Sequence, residues 1–305
     1  MPGPSDDNFA GTIADIERVT VDPAAMAKFE TEDGFAELAV RLMIETANYA
    51  CIATCMMGTA STWDRDHAAV GGNMVRLNKL LDCLLDQICK RRGEPTFIFT
   101  RLSFEAVVHI RYLIQEFSPA LVDSYVKCSL KHERKLHNLI EKNIAQRNGV
   151  VLPIEDRMLK SINRTVQAAQ IPLDQIEVKG KLSWGGKNIF DKAKAVSLDN
   201  AYLAAFGGGS NSIHGNWQEI FGHHLEWHED TGRFSPKTEW AYPRPQVPLS
   251  LCRHVIETLE MYFHFFGGEI ADNAFDPALS DLDNRVCEVG FAHENYLASK
   301  TWPEI

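Results

Sequence analysis

Residues 207–217 read Gly-Gly-Gly-Ser-Asn-Ser-Ile-His-Gly-Asn-Trp. They are the densest set of groups in the chain that could do chemistry. A glycine inside a helix costs about 1 kcal/mol relative to alanine, so propensity alone would not hold Gly207, Gly208 and Gly209 helical. Their small size or free φ angles must serve something local: close approach of a neighbouring helix, or a turn that cradles a phosphate. His214 adds a group that titrates near neutrality. Ser210 precedes it by four residues, so on a helix the hydroxyl and the imidazole share a face, as a nucleophile and its base should. The pattern matches neither Gly-x-Ser-x-Gly nor Gly-x-x-x-x-Gly-Lys-Ser/Thr. Ser210, Asn211 and His214, flanked by Tyr202 and Trp217, therefore mark a ligand site without naming a reaction.

A second constellation lies upstream. Arg101, Glu105 and His109 recur every four residues, and Tyr112 and Glu116 project into the same sector. Leu102, Ala106, Ile110, Leu113 and Phe117 occupy the opposite face. Phe97, Phe104 and Val108 intrude on the polar side. Two readings stand: a polar face in water, or a central helix in which a buried Arg101–Glu105 pair positions another group. In the second, Glu105 would fix the tautomer of His214 and raise its pKa, and Arg101 would stabilise an anion. Polar groups in apolar helical surroundings need one another, so the two segments are expected to pack together. His223, His224 and His228 form a third cluster with Glu226 and Glu229. It lacks the His-Glu-x-x-His spacing and runs into a polar loop, so it is read as solvated surface, with no metal or cofactor assigned.

The elements that must position these residues are helical. The segment Phe35 to Met57 carries a charged stripe at Glu37, Arg41 and Glu45 on an otherwise apolar helix. His67 to Arg92 repeats apolar residues at helical spacing and stops at Arg91-Arg92-Gly93. Pro95 opens a helix through Phe117. Ser118-Pro119 caps a long helix reaching Asn148-Gly149, and Pro153 starts one that ends near Gln170. Residues 171–186 are a connection, with one short strand possible at 176–179. Helical patterns return at 188–195 and 198–206. Four prolines make His228 to Pro248 an exposed loop. Pro248 starts an aromatic helix through Phe266, and Ser280 caps a last one towards Lys300. The reading is all-α, with a flexible segment over residues 1–22 and one domain over residues 23–305.

The 305 residues are 45% hydrophobic with a formal charge of −10. That balance supports a large core and disfavours general affinity for nucleic acid. The stretch Lys127 to Arg147 is locally basic and is read as a solvated helix face. The polar, acidic start has no signal-peptide pattern. The longest apolar run, Leu38 to Met57, is broken by Arg41 and Glu45, which disfavours a membrane span. Seven scattered cysteines read as reduced thiols, so the expected location is the cytoplasm.

Three stretches resemble an uncharacterised family, domain of unknown function 5677. Thr100-Arg101-Leu102-Ser103-Phe104-Glu105 is similar to its Arg-x-x-Phe/Leu-Glu helix. Leu182 to Ile189, with Trp184-Gly185-Gly186-Lys187, is similar to its Trp-Gly-Lys-Ser-Ile helix start. Tyr202 through Ser210 to His214-Gly215 is similar to its Tyr…Tyr-Arg…Ser-x-x-x-His-Gly stretch, with Phe206-Gly207 standing where the Tyr-Arg pair falls. The resemblance spans about residues 35–265. It implies an all-helical fold and no established reaction. It invites comparison with helical ribonucleases of the HEPN type, but no arginine here precedes a histidine by their four to six residues. Three functions follow as expectations. One is a pocket of Arg101, Glu105, Ser210, Asn211 and His214 that binds a small ligand or a protein partner, with Tyr202, Trp217 and His109 around it. Another is a metal-independent hydrolase or ribonuclease with His214 as general acid or base. The third is a structural protein that forms a homodimer through the helix Leu249 to Phe266.

Overall fold

The computed structural model describes residues 11–58, 62–179 and 183–301. Helix α1 spans Asp33–Thr54, α2 Arg65–Cys89 and α3 Gly93–Gln115. The Asp64 side chain accepts from the His67 N–H and starts α2. Next come α4 (Pro119–Ser129), α5 (Lys131–Gln146) and α6 (Pro153–Ala169). Ser118 caps α4 through the Leu121 N–H, with Pro119 already at the helical φ. Helices α7 (Ile189–Ala195), α8 (Asp199–Tyr202) and α9 (Gly208–His214) are short, and one π-helical turn, Leu203–Gly207, joins the last two. An antiparallel hairpin follows, β1 (Leu225–His228) with β2 (Arg233–Pro236), in the register Trp227 opposite Phe234.

The final helical stretch, Gln246–Ala298, is not one rod. Gly268 sits at φ 58° and ψ −154°, a region that essentially only glycine occupies. Pairs placed symmetrically about it meet: the Phe263 and Phe275 rings stack at 4.0 Å, His264 reaches Asp272 at 2.7 Å, and Arg253 reaches Asp283 at 3.3 Å. The chain thus reverses here into two antiparallel limbs, α10 (residues 246–267) and α11 (residues 269–298). The last helix begins at this reversal rather than at Ser280.

Helix α2 packs against α1 and α3, and the reversed pair packs against α1 and α3 in turn. Phe35, Leu42, Met74, Leu81, Phe104 and Tyr262 are buried where they meet. The apolar residues of Leu249 to Phe266 are spent on this core. Among the described residues of that helix no large apolar side chain is exposed.

The charged stripe of α1 divides. Glu37 and Arg41 face water, but Glu45 is only 2% exposed. Both Glu45 oxygens accept from Arg285, at 2.6 and 2.7 Å, and one also accepts from the Val19 N–H. Arg285 donates further to the Val19 carbonyl and to Asp281. This network ties residues 18–19 to α1 and α11; residues 1–10 of the expected flexible segment lie outside the described residues.

Three other expectations change. The long helix after Ser118 breaks at Leu130, whose side chain is buried with Ile171 and Ile176 in a small second core. Residues 176–179 form no strand. The proline-rich loop contains β2, so the fold carries one hairpin that the sequence did not announce. Among the described residues no helix is long and apolar enough to cross a membrane.

Candidate functional site

Helix α9 lies on α3, so the two motif segments do pack together. The contact turns on Gly209. A Cβ there would stand 2.5 Å from the Phe97 carbonyl oxygen and 2.6 Å from the Arg101 Cβ. Only a residue without a side chain lets the backbones approach this closely. At Gly207 a Cβ would meet nothing nearer than Leu203, at 3.4 Å.

Next to this contact the Arg101 guanidinium lies over the Phe206 ring, 4.1 Å from its centroid. Tyr202 stacks on Phe206 at 4.8 Å. Burial raises the Tyr202 phenol above its usual range; Glu105 adds to the shift and Arg101 opposes it. Arg101, Glu105, Tyr202 and Phe206 are therefore neighbours. The expected Arg101–Glu105 ion pair does not form. Arg101 instead uses the aromatic face, a cation–π contact, and its Nη1 is buried without a hydrogen-bond partner.

The downstream half of the motif points elsewhere. Asn211 donates to Gln218 and accepts from Asn216. Ser212 donates to the buried Glu219, which His223 and His224 approach at 3.9 and 3.8 Å. A π-helical turn, Ile220–His224, turns both histidines towards that carboxylate, so they are not a free solvated cluster. His228 bonds Ser235 across the hairpin at 2.8 Å. Trp217 is 62% exposed and stacks on Phe221, with Phe234 edge-on to both. His214 ends α9 in the open, before Gly215 at φ 58°. Among the described residues neither Ser210 nor His214 has a side-chain hydrogen-bond partner within the chain. No group of three His, Cys, Asp or Glu residues is placed to hold a metal ion among the described residues.

His109 belongs to a different cluster, about 12 Å along α3 from Arg101 at 1.5 Å per residue. Its ring meets Trp184 at 5.3 Å and Tyr125 at 6.5 Å. Trp184 is also touched by Tyr112, and the Lys192 Nζ lies 4.1 Å over its ring. Lys192 is 2% exposed and donates to the Lys187 carbonyl. Burial lowers its pKa to about 8. Burial first, then Lys192 and Arg76, lowers the His109 pKa to about 3. His109 is thus a neutral imidazole packed against Trp184 and Tyr125, apart from the Arg101 contact. The Trp184-Gly185-Gly186 turn is what packs on it. Gly185, at φ 62°, has its N–H bonded to Ser124, and a Cβ there would press on the tip of the Leu121 side chain at 2.9 Å. Leu182 lies outside the described residues.

A cavity of about 270 Å³ opens where α3, the α8–α9 segment and α10 meet. Helix α3 supplies Phe97 and Thr100. The α8–α9 segment supplies Ala201, Ala204, Ala205 and Gly209. Helix α10 supplies Gln246, Val247, Ser250, Leu251 and His254. Three contacts set this geometry. Gly209 draws α9 onto α3. The Ala241 carbonyl accepts from the Gly93 N–H at 2.7 Å and the Ala241 N–H donates to Glu94, which fixes the chain just before Gln246. Buried Arg111 of α3 donates to the His254 carbonyl, Thr258 and Glu257 of α10. Burial, followed by the Arg111 charge, lowers the His254 pKa, and Glu257 opposes the shift. Gln246 Oε1 and His254 Nδ1 are buried with no partner.

The sequence reading placed the pocket on the polar faces of these same two segments. The cavity uses their small and apolar faces instead, one helical position round from Arg101 and Ser210. Gln246 and His254 carried no signal in the sequence, because the fold brings them to α3 from about 150 residues away. Larger concavities among the described residues include a groove of about 860 Å³ beside Phe29 and Phe291, a cleft of about 810 Å³ beside His223 and Arg244 and a groove of about 480 Å³ beside Ser124 and Lys127. Phe97 and Gln246 line both that cleft and the smaller cavity. Of these concavities among the described residues, the smaller cavity alone is walled by both motif segments.

No curated protein and no solved structure matches the chain. A family model does, over a span narrower than residues 35–265 but holding all three stretches quoted above. The chain belongs to the family of unknown function DUF5677, whose model matches residues 67–233, more than half of its length.

Proposed function

We propose that this protein binds a small molecule in the cavity between α3, the α8–α9 segment and α10, and that it does so in the cytoplasm. One observation carries the reading: the glycine contact that brings the two motif segments together also forms the cavity wall. A concave, largely apolar space with a few convergent polar groups is the usual form of a small-molecule site. Arg101 and Tyr202 then act behind the wall, holding the α8–α9 segment in place through the Phe206 ring. Binding is preferred to hydrolysis by His214, since its ring stands in the open with neither Ser210 nor Glu105 bonded to it.

The test is a fragment screen by thermal shift on the full chain and on two variants, Ala204→Trp and Ser250→Trp. Both positions line the cavity and are exposed, so a large side chain can occlude the space without entering the core. Fragments that raise the melting temperature of the parent protein should lose that effect in both variants. Fragments that stabilise all three proteins equally would place binding elsewhere and reject the reading.

A further inference from the structure

Charge is unevenly divided along the chain. Residues 131–169, which are α5, α6 and their connection, hold eight Lys and Arg against four Asp and Glu, a net charge of +4. The whole chain carries −10, so the remainder carries −14. This basic stretch stands off the body. Helices α5 and α6 pack chiefly on each other, with α4 against α5. No residue from 131 to 168 belongs to the main core. The base of the arm is the small core of Leu130, Ile171 and Ile176, with Ala169 against it. The far end, residues 147–153, lies the length of the sixteen-residue α5 away, about 24 Å at 1.5 Å per residue.

At that end the polar groups are tied to one another. Arg147 donates to the Val150 carbonyl and to Glu155, and Glu155 also accepts from the Leu152 N–H. The apolar side chains are left out: Val150, Val151, Leu152 and Ile154 are between 41% and 58% exposed. Such a run of exposed apolar residues on a fixed loop serves nothing within the chain and marks a contact surface. Lys142 and Arg157 are exposed in the helical turns beside it.

We propose that this arm docks the protein on the surface of an anionic phospholipid bilayer. Val150 to Ile154 enter the boundary between headgroups and acyl chains, and the flanking bases meet the lipid phosphates. The acidic remainder of the chain would be repelled by such a surface. The arm holds it about 24 Å away, beyond the screening length of about 8 Å at physiological salt. Nucleic acid fits less well, because the arm has no Phe, Tyr or Trp on which bases could stack, and phosphates have no use for an apolar tip. The inference is independent of the cavity.

Co-sedimentation of the full chain with vesicles tests it. Phosphatidylcholine vesicles containing about one third phosphatidylserine should bind the protein, and phosphatidylcholine alone should not. Raising the salt should weaken binding. Lys142→Gln with Arg157→Gln should lower the affinity roughly fivefold for each charge removed. Val151→Ser with Ile154→Ser leaves the charge as it is and should lower the affinity roughly tenfold or more, with the melting temperature unchanged because both residues are exposed. Absence of binding to the mixed vesicles, equal binding to phosphatidylcholine alone, or binding that the serine pair leaves unchanged would overturn the proposal. Retention of single-stranded RNA in place of vesicles, lost in the glutamine pair, would overturn it in favour of nucleic acid. A dimer in solution that the serine pair dissociates would overturn it in favour of a second copy covering the tip.

Discussion

Gly209 and Gly72 both lie within helices, yet a methyl group would fare oppositely at the two. At Gly209 it would collide with the Phe97 carbonyl and the Arg101 Cβ, both below 3 Å and neither the end of a flexible side chain. At Gly72, which is exposed in α2, it would meet nothing within 4 Å. Gly209→Ala should therefore destabilise the protein by about 1–3 kcal/mol through overpacking. Gly72→Ala should stabilise it by roughly 0.5–1 kcal/mol through helix propensity and a less flexible unfolded chain. Urea denaturation of both variants checks the pair. A neutral Gly209→Ala would mean that the close contact of α9 with α3 is not a constraint. This contact was legible in the sequence, because a run of glycines in a helical context has few other uses. What Arg101 does there was not legible. The Phe206 ring that receives it sits 105 residues away, and no local spacing announces a cation–π contact over that separation.

At the scale of elements, helix starts were the most readable feature. Ser118 before Pro119 satisfies an orphan N–H of the first turn, and such a cap is short-range chemistry. The break at Leu130, the π-helical turns at residues 203–207 and 220–224 and the hairpin were not readable. Each depends on a partner supplied by tertiary structure, such as Ile171 and Ile176 for Leu130 or Glu219 for the two histidines. The Trp184 turn and α3 form a joint whose behaviour with pH follows from His109. Its pKa falls from 6.5 to about 3 in the fold. Between those values the unfolded chain binds a proton that the folded chain does not, so stability drops as pH falls from about 6.5 towards 3. At pH 7 the imidazole is neutral in both states and costs nothing. The melting temperature should accordingly decline over this window, and the decline should be shallower in His109→Asn, which cannot protonate. Parallel pH profiles for the two proteins would show that the ring is more accessible than its packing against Trp184 and Tyr125 implies.

For the whole molecule, the all-helical class followed from periodicity, since α1, α2, α3 and α10 each bury one broad face in a common core. The reversal at Gly267-Gly268 was only half legible. The sequence shows where α10 stops, but the φ of 58° and ψ of −154° at Gly268 become necessary only once α11 must fold back on it. That fold-back is also what the site depends on. It holds α10 between α3 and α11, and α10 brings Gln246 and His254 to the segments that carry the two motifs.

The central claim is that this junction is where a ligand sits. A ¹H–¹⁵N correlation titration of the full chain with a fragment that raises its melting temperature tests it most directly, because each amide reports its own surroundings. Shifts should concentrate at residues 97–100, 201–209 and 246–254, and should leave the Trp184 turn and the Leu225–Pro236 hairpin in place. Saturable shifts confined to the hairpin, to the groove beside Phe291 or to the Trp184 turn would contradict the account.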